Sequence, residues 1–126
     1  MKRPNAQRLH NEYTEKIMQA MLQDGYALLS RTKQKDGSVH DFTVEKDGIS
    51  YQVKTVFLYG KTDIMTTLRA QVLYNRIRDR SDASGQFMLI TNGRLYKPWR
   101  ERYKKAGIIT VEKQDGLQWS GHQEDG

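Results

Sequence analysis

Apolar and polar positions recur along the chain with two different periods, and the switches between them divide it into elements. Over residues 7–24, Leu9, Tyr13, Ile17 and Met21 return every four positions with Met18 and Leu22 beside them, a stripe that predicts a helix. Gly25 stands where a helix ends. Residues 26–33, 38–45 and 49–57 read as strands, with turns at Asp36-Gly37 and Asp47-Gly48. A second helix with a ragged apolar face is expected over 63–79. QFMLIT, 86–91, has the length and composition of a buried strand and closes on Asn92-Gly93. Pro98 opens a short helix to Ala106, and a final strand follows over 108–113. The order αβββαβαβ predicts an α/β fold, a mixed β-sheet flanked by helices on both faces. No repeat or linker splits the chain, so residues 1–117 are expected to form a single domain. The tail, 118–126, has little to bury and is expected to fray.

The period-two stretch VHDFTVEKDGISYQVKT, 39–55, carries more than a fold signal. A two-residue Asp47-Gly48 loop suits a type I′ turn and puts Lys46 opposite Ile49. Phe42 then faces Val53 and Val44 faces Tyr51, an apolar cluster that resists a one-residue slip. On the other face Asp41 falls opposite Lys54 and Thr43 opposite Gln52, with opposed Cβ atoms about 5 Å apart. A carboxylate, an amide and an ammonium group therefore converge. A plain cross-strand ion pair on a wet face is the competing reading.

Composition narrows the chemistry. There is no cysteine, so disulfides, thiolate catalysis and cysteine-held zinc are excluded, and three scattered histidines (His10, His40, His122) argue against an all-histidine site. No run approaches the roughly 18 apolar residues of a membrane span, and no signal peptide is evident, so a soluble cytoplasmic protein is expected. The net charge of +6, from 21 Lys and Arg against 15 Asp and Glu, suits a polyanionic partner.

Phosphodiester hydrolysis uses such a constellation. Mg²⁺ takes hard oxygen ligands, usually one or two carboxylates with waters and substrate phosphate. Asp41 is the candidate main ligand and Gln52 a second one through its amide oxygen. Lys54 is placed to orient or activate the attacking water, or to stabilise the charge that develops on the phosphate. A second carboxylate is expected from elsewhere in the chain.

Asp41, ten intervening residues and then Gln52-Val53-Lys54 resemble the D…(E/Q)xK signature of the PD-(D/E)XK nuclease superfamily. The nearest resemblance is to the Mrr-like restriction endonucleases, in which Gln commonly replaces the acidic residue. EKIMQAML (15–22) followed by Gly25-Tyr26 is similar to the glutamate-bearing first helix of that family, and FMLITNGRLYKPWRERYKKAGIITVEKQDGL (87–117) resembles its last strands and helix. The resemblance implies a restriction-endonuclease-like fold and a Mg²⁺-dependent DNA endonuclease in which Mn²⁺ substitutes. It makes Glu15 both a catalytic residue and the second metal ligand. The spacing from Glu15 to the glycine is about one residue shorter than the family's, which leaves Glu12 as an alternative. The size also resembles that of the archaeal Holliday-junction resolvases, which implies a homodimer; a partner protein that supplies specificity is equally compatible. His40, beside Asp41, alternates to the other face and reads as structural.

For DNA contact, Arg69, Arg76 and Arg80 stack on one helix stripe. Arg100 and Lys104 stand out in the basic last helix, which also carries Lys97, Arg102 and Lys105. Trp99 and Tyr103 read as core, and Gln71 as an edge or solvent position. Two rival readings use a different class of function. One keeps a nuclease-like fold that binds nucleic acid without cutting it. The other, a double-stranded-RNA-binding module, lacks the Gly- and Lys-rich entry to the second helix and has no place for the elements after residue 86.

Overall fold

The computed structural model describes residues 6–31, 39–59, 62–79 and 85–114. Helix α1 (Ala6–Gln23) leads into β1 (Ala27–Arg31), β2 (Phe42–Lys46) and β3 (Ile49–Val56); α2 (Thr67–Asp79), β4 (Gln86–Thr91), α3 (Lys97–Lys105) and β5 (Ile108–Val111) complete the order. The expected αβββαβαβ order is the observed one. The five strands form one sheet in the sequential order β1-β2-β3-β4-β5. The first two pairings are antiparallel and the last two parallel. The sheet is therefore mixed, and its final strands have no place in a small RNA-binding module.

Local chemistry sets the joints. The amides of Gly25 and Tyr26 donate back to the carbonyls of Leu22 and Met21 and close α1 in a Schellman turn. Asp47 and Gly48 have φ of 55° and 81°, as a type I′ turn needs. The register follows, with Phe42 against Val53, Thr43 against Gln52 and Val44 against Tyr51.

Each face of the sheet has its own core. Tyr13, Ile17, Met18 and Met21 of α1 pack on Phe42, Val44, Val53, Met88 and Ile90. On the opposite face Ala70, Leu73 and Ile77 of α2 and Tyr103 of α3 cover Val56, Phe87, Leu89 and Ile108. The face of β3 that carries Gln52 and Lys54 thus lies under a helical layer and is not a wet surface. Strand β1 is exposed at every position, and its register slips between Leu28 and Ser30, an irregularity that blunts a free edge.

Several boundaries differ from expectation. Strand β2 begins at Phe42, because at Asp41 the regular ladder breaks. Helix α2 begins at Thr67, since residues 63–65 are held extended by the reciprocal bonds Arg94 N to Asp63 O and Met65 N to Arg94 O. Strand β5 is shorter than expected, at Ile108–Val111; β1 begins at Ala27, and residues 32–33 of its expected span lie outside the described residues. The expected Asp36-Gly37 turn, Arg80 and the tail 118–126 lie outside the described residues.

Candidate active site

The candidate site forms where β3 runs out at its C-terminal end, the end at which open parallel sheets present ligands. In a regular antiparallel ladder the amide of Thr55 would donate to the main chain of the neighbouring strand. Here it donates to the carboxylate of Asp41 at 2.8 Å, while the Asp41 amide reaches the Val53 carbonyl at 2.7 Å. Asp41 Oδ2 accepts a second bond from Thr55 Oγ1 at 3.0 Å. The carboxylate sits at the margin of the sheet and is reached from both faces. From the α1 side comes His10, with Nε2 3.7 Å from Oδ2; from the other side comes Lys54, with Nζ 3.8 Å from the same oxygen. Asp41 and Lys54 are 19% and 22% exposed, enough shelter to separate them from an ordinary surface pair.

The electrostatics follow from that placement. Burial by itself pushes the Asp41 carboxyl upward, but the hydrogen bond from His10, the charge of Lys54 and the Thr55 amide outweigh it. The net result is a pKa below the usual carboxylate value. Lys54 is also held below its ordinary range. Burial is the largest cause; Asp41 opposes it, and the guanidinium groups of Arg69 and Arg76 on α2 add to it. The carboxylate is thus kept charged while the amine is eased toward neutrality.

Gln52 is buried, 5% exposed, and shares the sheet face of Lys54. Glu15 does not turn to Asp41: its Oε1 accepts from Arg31 at 2.8 Å. Glu15, Asp41, His10 and Arg31 nevertheless line one cavity of about 330 Å³ between α1 and the start of β2. Glu12 pairs with Arg8 at 3.8 Å, both well exposed, and does not line that cavity. The α1 residue that reaches the end of β3 is Thr14, one position before Glu15, through a 2.6 Å contact between Thr14 Oγ1 and Thr55 Oγ1. His10, one turn earlier, lies 3.0 Å from the Thr55 carbonyl.

His10, Thr14 and Thr55 were not among the residues singled out by sequence reasoning. A signal exists: His10 and Thr14 are four apart beside the apolar stripe, and Thr55 is the polar residue that continues the series Tyr51, Val53 on the core face. Among the described residues no group of three or more His, Cys, Asp or Glu side chains gathers as a metal cage. Among the same residues, every hydrogen bond and ion pair of the Asp41 carboxylate falls on Oδ2. A divalent ion held at the Asp41 carboxylate would have to keep much of its own water.

The basic candidates divide. Arg69 and Arg76 are exposed on α2 and close enough to Lys54 to act on its charge. Lys104 is exposed in the last turn of α3, and Gln71 is exposed on α2. Arg100 is committed elsewhere: Nε donates to Glu112 Oε1 at 2.8 Å, and its second nitrogen donates to Glu112 Oε2 and the Leu95 carbonyl. It clasps α3 to the end of β5. Tyr103 is core, fully buried with its hydroxyl on the Ala70 carbonyl, and Trp99 packs edge-on against it and Tyr74. Asn92 of the TNG sequence bonds both the amide and the carbonyl of Leu58 at 2.7 Å, and so ties the segment after β3 to the turn after β4. His40 is half-buried.

No helix among the described residues is long and apolar enough to cross a membrane. No family model matches the chain and no curated protein matches it. Among solved structures, one titled "Crystal Structure of Protein of Unknown Function AF1548" is similar, at 18% identity and a TM-score of 0.59. The alignment covers 79% of this chain and 57% of that one, so this chain spans little more than half the length of its structural relative. At that identity the likeness establishes the fold, a five-stranded mixed α/β sheet with flanking helices.

Proposed function

We propose that the chain is a metal-dependent DNA endonuclease whose active site is built on Asp41 and Lys54. One observation carries the reading: a sheltered carboxylate and a sheltered amine, 3.8 Å apart at the C-terminal end of β3, flanked by Arg69 and Arg76. A solvated ion pair gains little from burial, whereas a catalytic pair needs its charges shielded and its pKa values moved.

In this reading Asp41 would hold a divalent cation, with the amide oxygen of Gln52 or a neighbouring main-chain carbonyl as a further oxygen donor. The metal, when bound, polarises the scissile phosphate and makes its bound water more acidic. Everything else is done by the chain. Lys54, with its proton loosened by burial and by the two arginines, takes a proton from the attacking water or donates to the phosphate oxygen on which charge builds. Arg69 and Arg76 bind neighbouring phosphates and hold the backbone in line. Thr55 fixes the Asp41 carboxylate, so the ligand is set before substrate arrives. A homodimer would present two such sites to two strands.

One observation favours a non-catalytic nucleic-acid binder on the same fold: Oδ2 of Asp41 is already engaged by Thr55, His10 and Lys54, and Glu15 by Arg31. One experiment separates the two. Linear duplex DNA, a four-way junction and duplex RNA are incubated with the protein in Mg²⁺, Mn²⁺ or EDTA, beside identically purified Lys54→Ala protein. Metal-dependent cutting of DNA that Lys54→Ala lacks is the expected result. Binding without cutting on every substrate would leave only the binder.

A further inference from the structure

Two tyrosine rings stand out in solvent at one end of the sheet, and it is the end that carries Asp41 and Lys54. Among the described residues the other aromatic side chains are buried or half-buried, whereas Tyr59 is 53% and Tyr96 48% exposed. Tyr59 comes three residues after β3 and Tyr96 five residues after β4. These strands are parallel, with Val56 against Thr91, so the two segments leave the sheet side by side. The backbone next to each ring is pinned. Asn92 bonds both the amide and the carbonyl of Leu58, which precedes Tyr59. Leu95, which precedes Tyr96, is buried with its amide on Glu112, and the Tyr96 carbonyl receives the amides of Trp99 and Arg100. Tyr59 lies four residues beyond Thr55, so at most about 14 Å of chain separates the two. That reach is about four base steps along one strand of DNA.

Resting on the nuclease reading above, we propose that Tyr59 and Tyr96 form a stacking platform for unpaired bases. The preferred substrate is then DNA with a single-stranded arm beside the cut. Every base has a face that stacks on an aromatic ring, so such a platform takes unpaired strands whatever their sequence. A closed duplex hides those faces. Pinned backbones leave little ordering to be done when the base arrives. The charge of this end suits a phosphate backbone: Lys97 is exposed beside Tyr96, and Arg69 and Arg76 are exposed on α2 near Lys54. Asp63, the carboxylate that follows Tyr59 by four residues, is already paired with Lys113 and Arg94. A lone surface tyrosine needs no explanation, and the opposing account is that these are two of them.

The test is the ratio of affinities for a forked DNA with one unpaired arm and for the blunt duplex of the same sequence. Binding is measured in EDTA, so that no cleavage intervenes, with 2-aminopurine in the unpaired arm to report stacking. Wild-type protein should favour the fork by about 5- to 100-fold and quench the 2-aminopurine. The preference should persist as salt is raised, since stacking releases no counterions. Tyr59→Ala and Tyr96→Ala should each lower the ratio at least threefold and relieve quenching. Tyr59→Phe and Tyr96→Phe should keep both, and Leu68→Ala, an exposed apolar change on α2, should alter neither. A wild-type ratio near one overturns the platform even if an alanine variant fails to fold. A preference that both alanine variants retain overturns it as well, and either result leaves the nuclease reading standing. A tyrosine-dependent preference in a protein that cuts no DNA keeps the platform and overturns the cleavage reading. Failure to bind either DNA overturns both.

Discussion

Two aspartates of this molecule each meet two side chains that can carry positive charge, and they make opposite use of them. Asp63 sits in the open, its carboxylate 2.9 Å from Lys113 and 3.7 Å from Arg94, each about half exposed. Asp41 is four-fifths covered, meets Lys54 and His10 from opposite faces of the sheet, and has two hydrogen bonds from Thr55. Both carboxyls are held below their ordinary pKa, Asp63 chiefly by its bond from Lys113. The similarity ends there. Around Asp63 the working group is the main chain, whose carbonyl receives Arg94 N, and the side chain is an ornament in water. Around Asp41 the side chain itself replaces a ladder acceptor and brings an amine to a shielded place. Burial, more than pairing, separates a candidate catalytic carboxylate from a surface ion pair.

The widest separation is expected from the same substitution at the two positions. If the proposed function holds, Asp41→Asn should reduce cleavage by at least about 10³-fold, since it removes the charge proposed to hold the metal, and it should cost about 1–3 kcal/mol through its damaged hydrogen bonds. Asp63→Asn should leave cleavage unchanged and melting nearly so. Gel assays and urea titrations read both. The backbone beside Asp63 should behave differently from its side chain. A Cβ on Gly93 would collide with the Asp63 carbonyl and with Leu58, so Gly93→Ala should destabilise by about 1–3 kcal/mol in urea without touching the site.

The pH dependence sharpens the contrast. A carboxyl whose folded pKa is depressed contributes stability above its unfolded value, near 3.8, and that contribution is lost as pH falls through the folded value. The Asp41 part of this acid loss should persist in high salt, whereas the Asp63 part should be screened away. Lys54 runs on the alkaline side. Its depressed pKa means the unfolded chain binds its proton more tightly, so stability should rise with pH toward 10.5, and Lys54→Met should flatten that rise in thermal melts. The smallest effect concerns binding. Arg69→Gln and Arg76→Gln should each lower the slope of log affinity against log salt by about 1, while Arg100→Gln should leave it unchanged.

What was legible in the sequence is what depends on period and turn chemistry. Asp47-Gly48 dictated the hairpin, and the hairpin brought Asp41 to Lys54. The stripe from Tyr13 to Met21 placed α1. What was not legible depends on contacts between distant segments. One residue along a helix is a rotation of about 100°, so spacing alone did not distinguish Glu15, which faces Arg31, from Thr14, which faces Thr55. Arg100 looked like a phosphate contact because its partner, Glu112, lies beyond the next strand. Alternation told which side chains share a face with Gln52, but only the packing of α2 and α3 told that the face is covered.

The account rests on Asp41 and Lys54 acting as a catalytic pair, and single-turnover cleavage of duplex DNA by wild-type and Lys54→Met protein tests it most directly. Both proteins are first matched for folded fraction and for DNA affinity. The account predicts metal-dependent cleavage by the wild type and a loss of about 10²–10⁴-fold in Lys54→Met. Equal cleavage rates in the two proteins, or no cleavage by the wild type in Mg²⁺ or Mn²⁺, would contradict it.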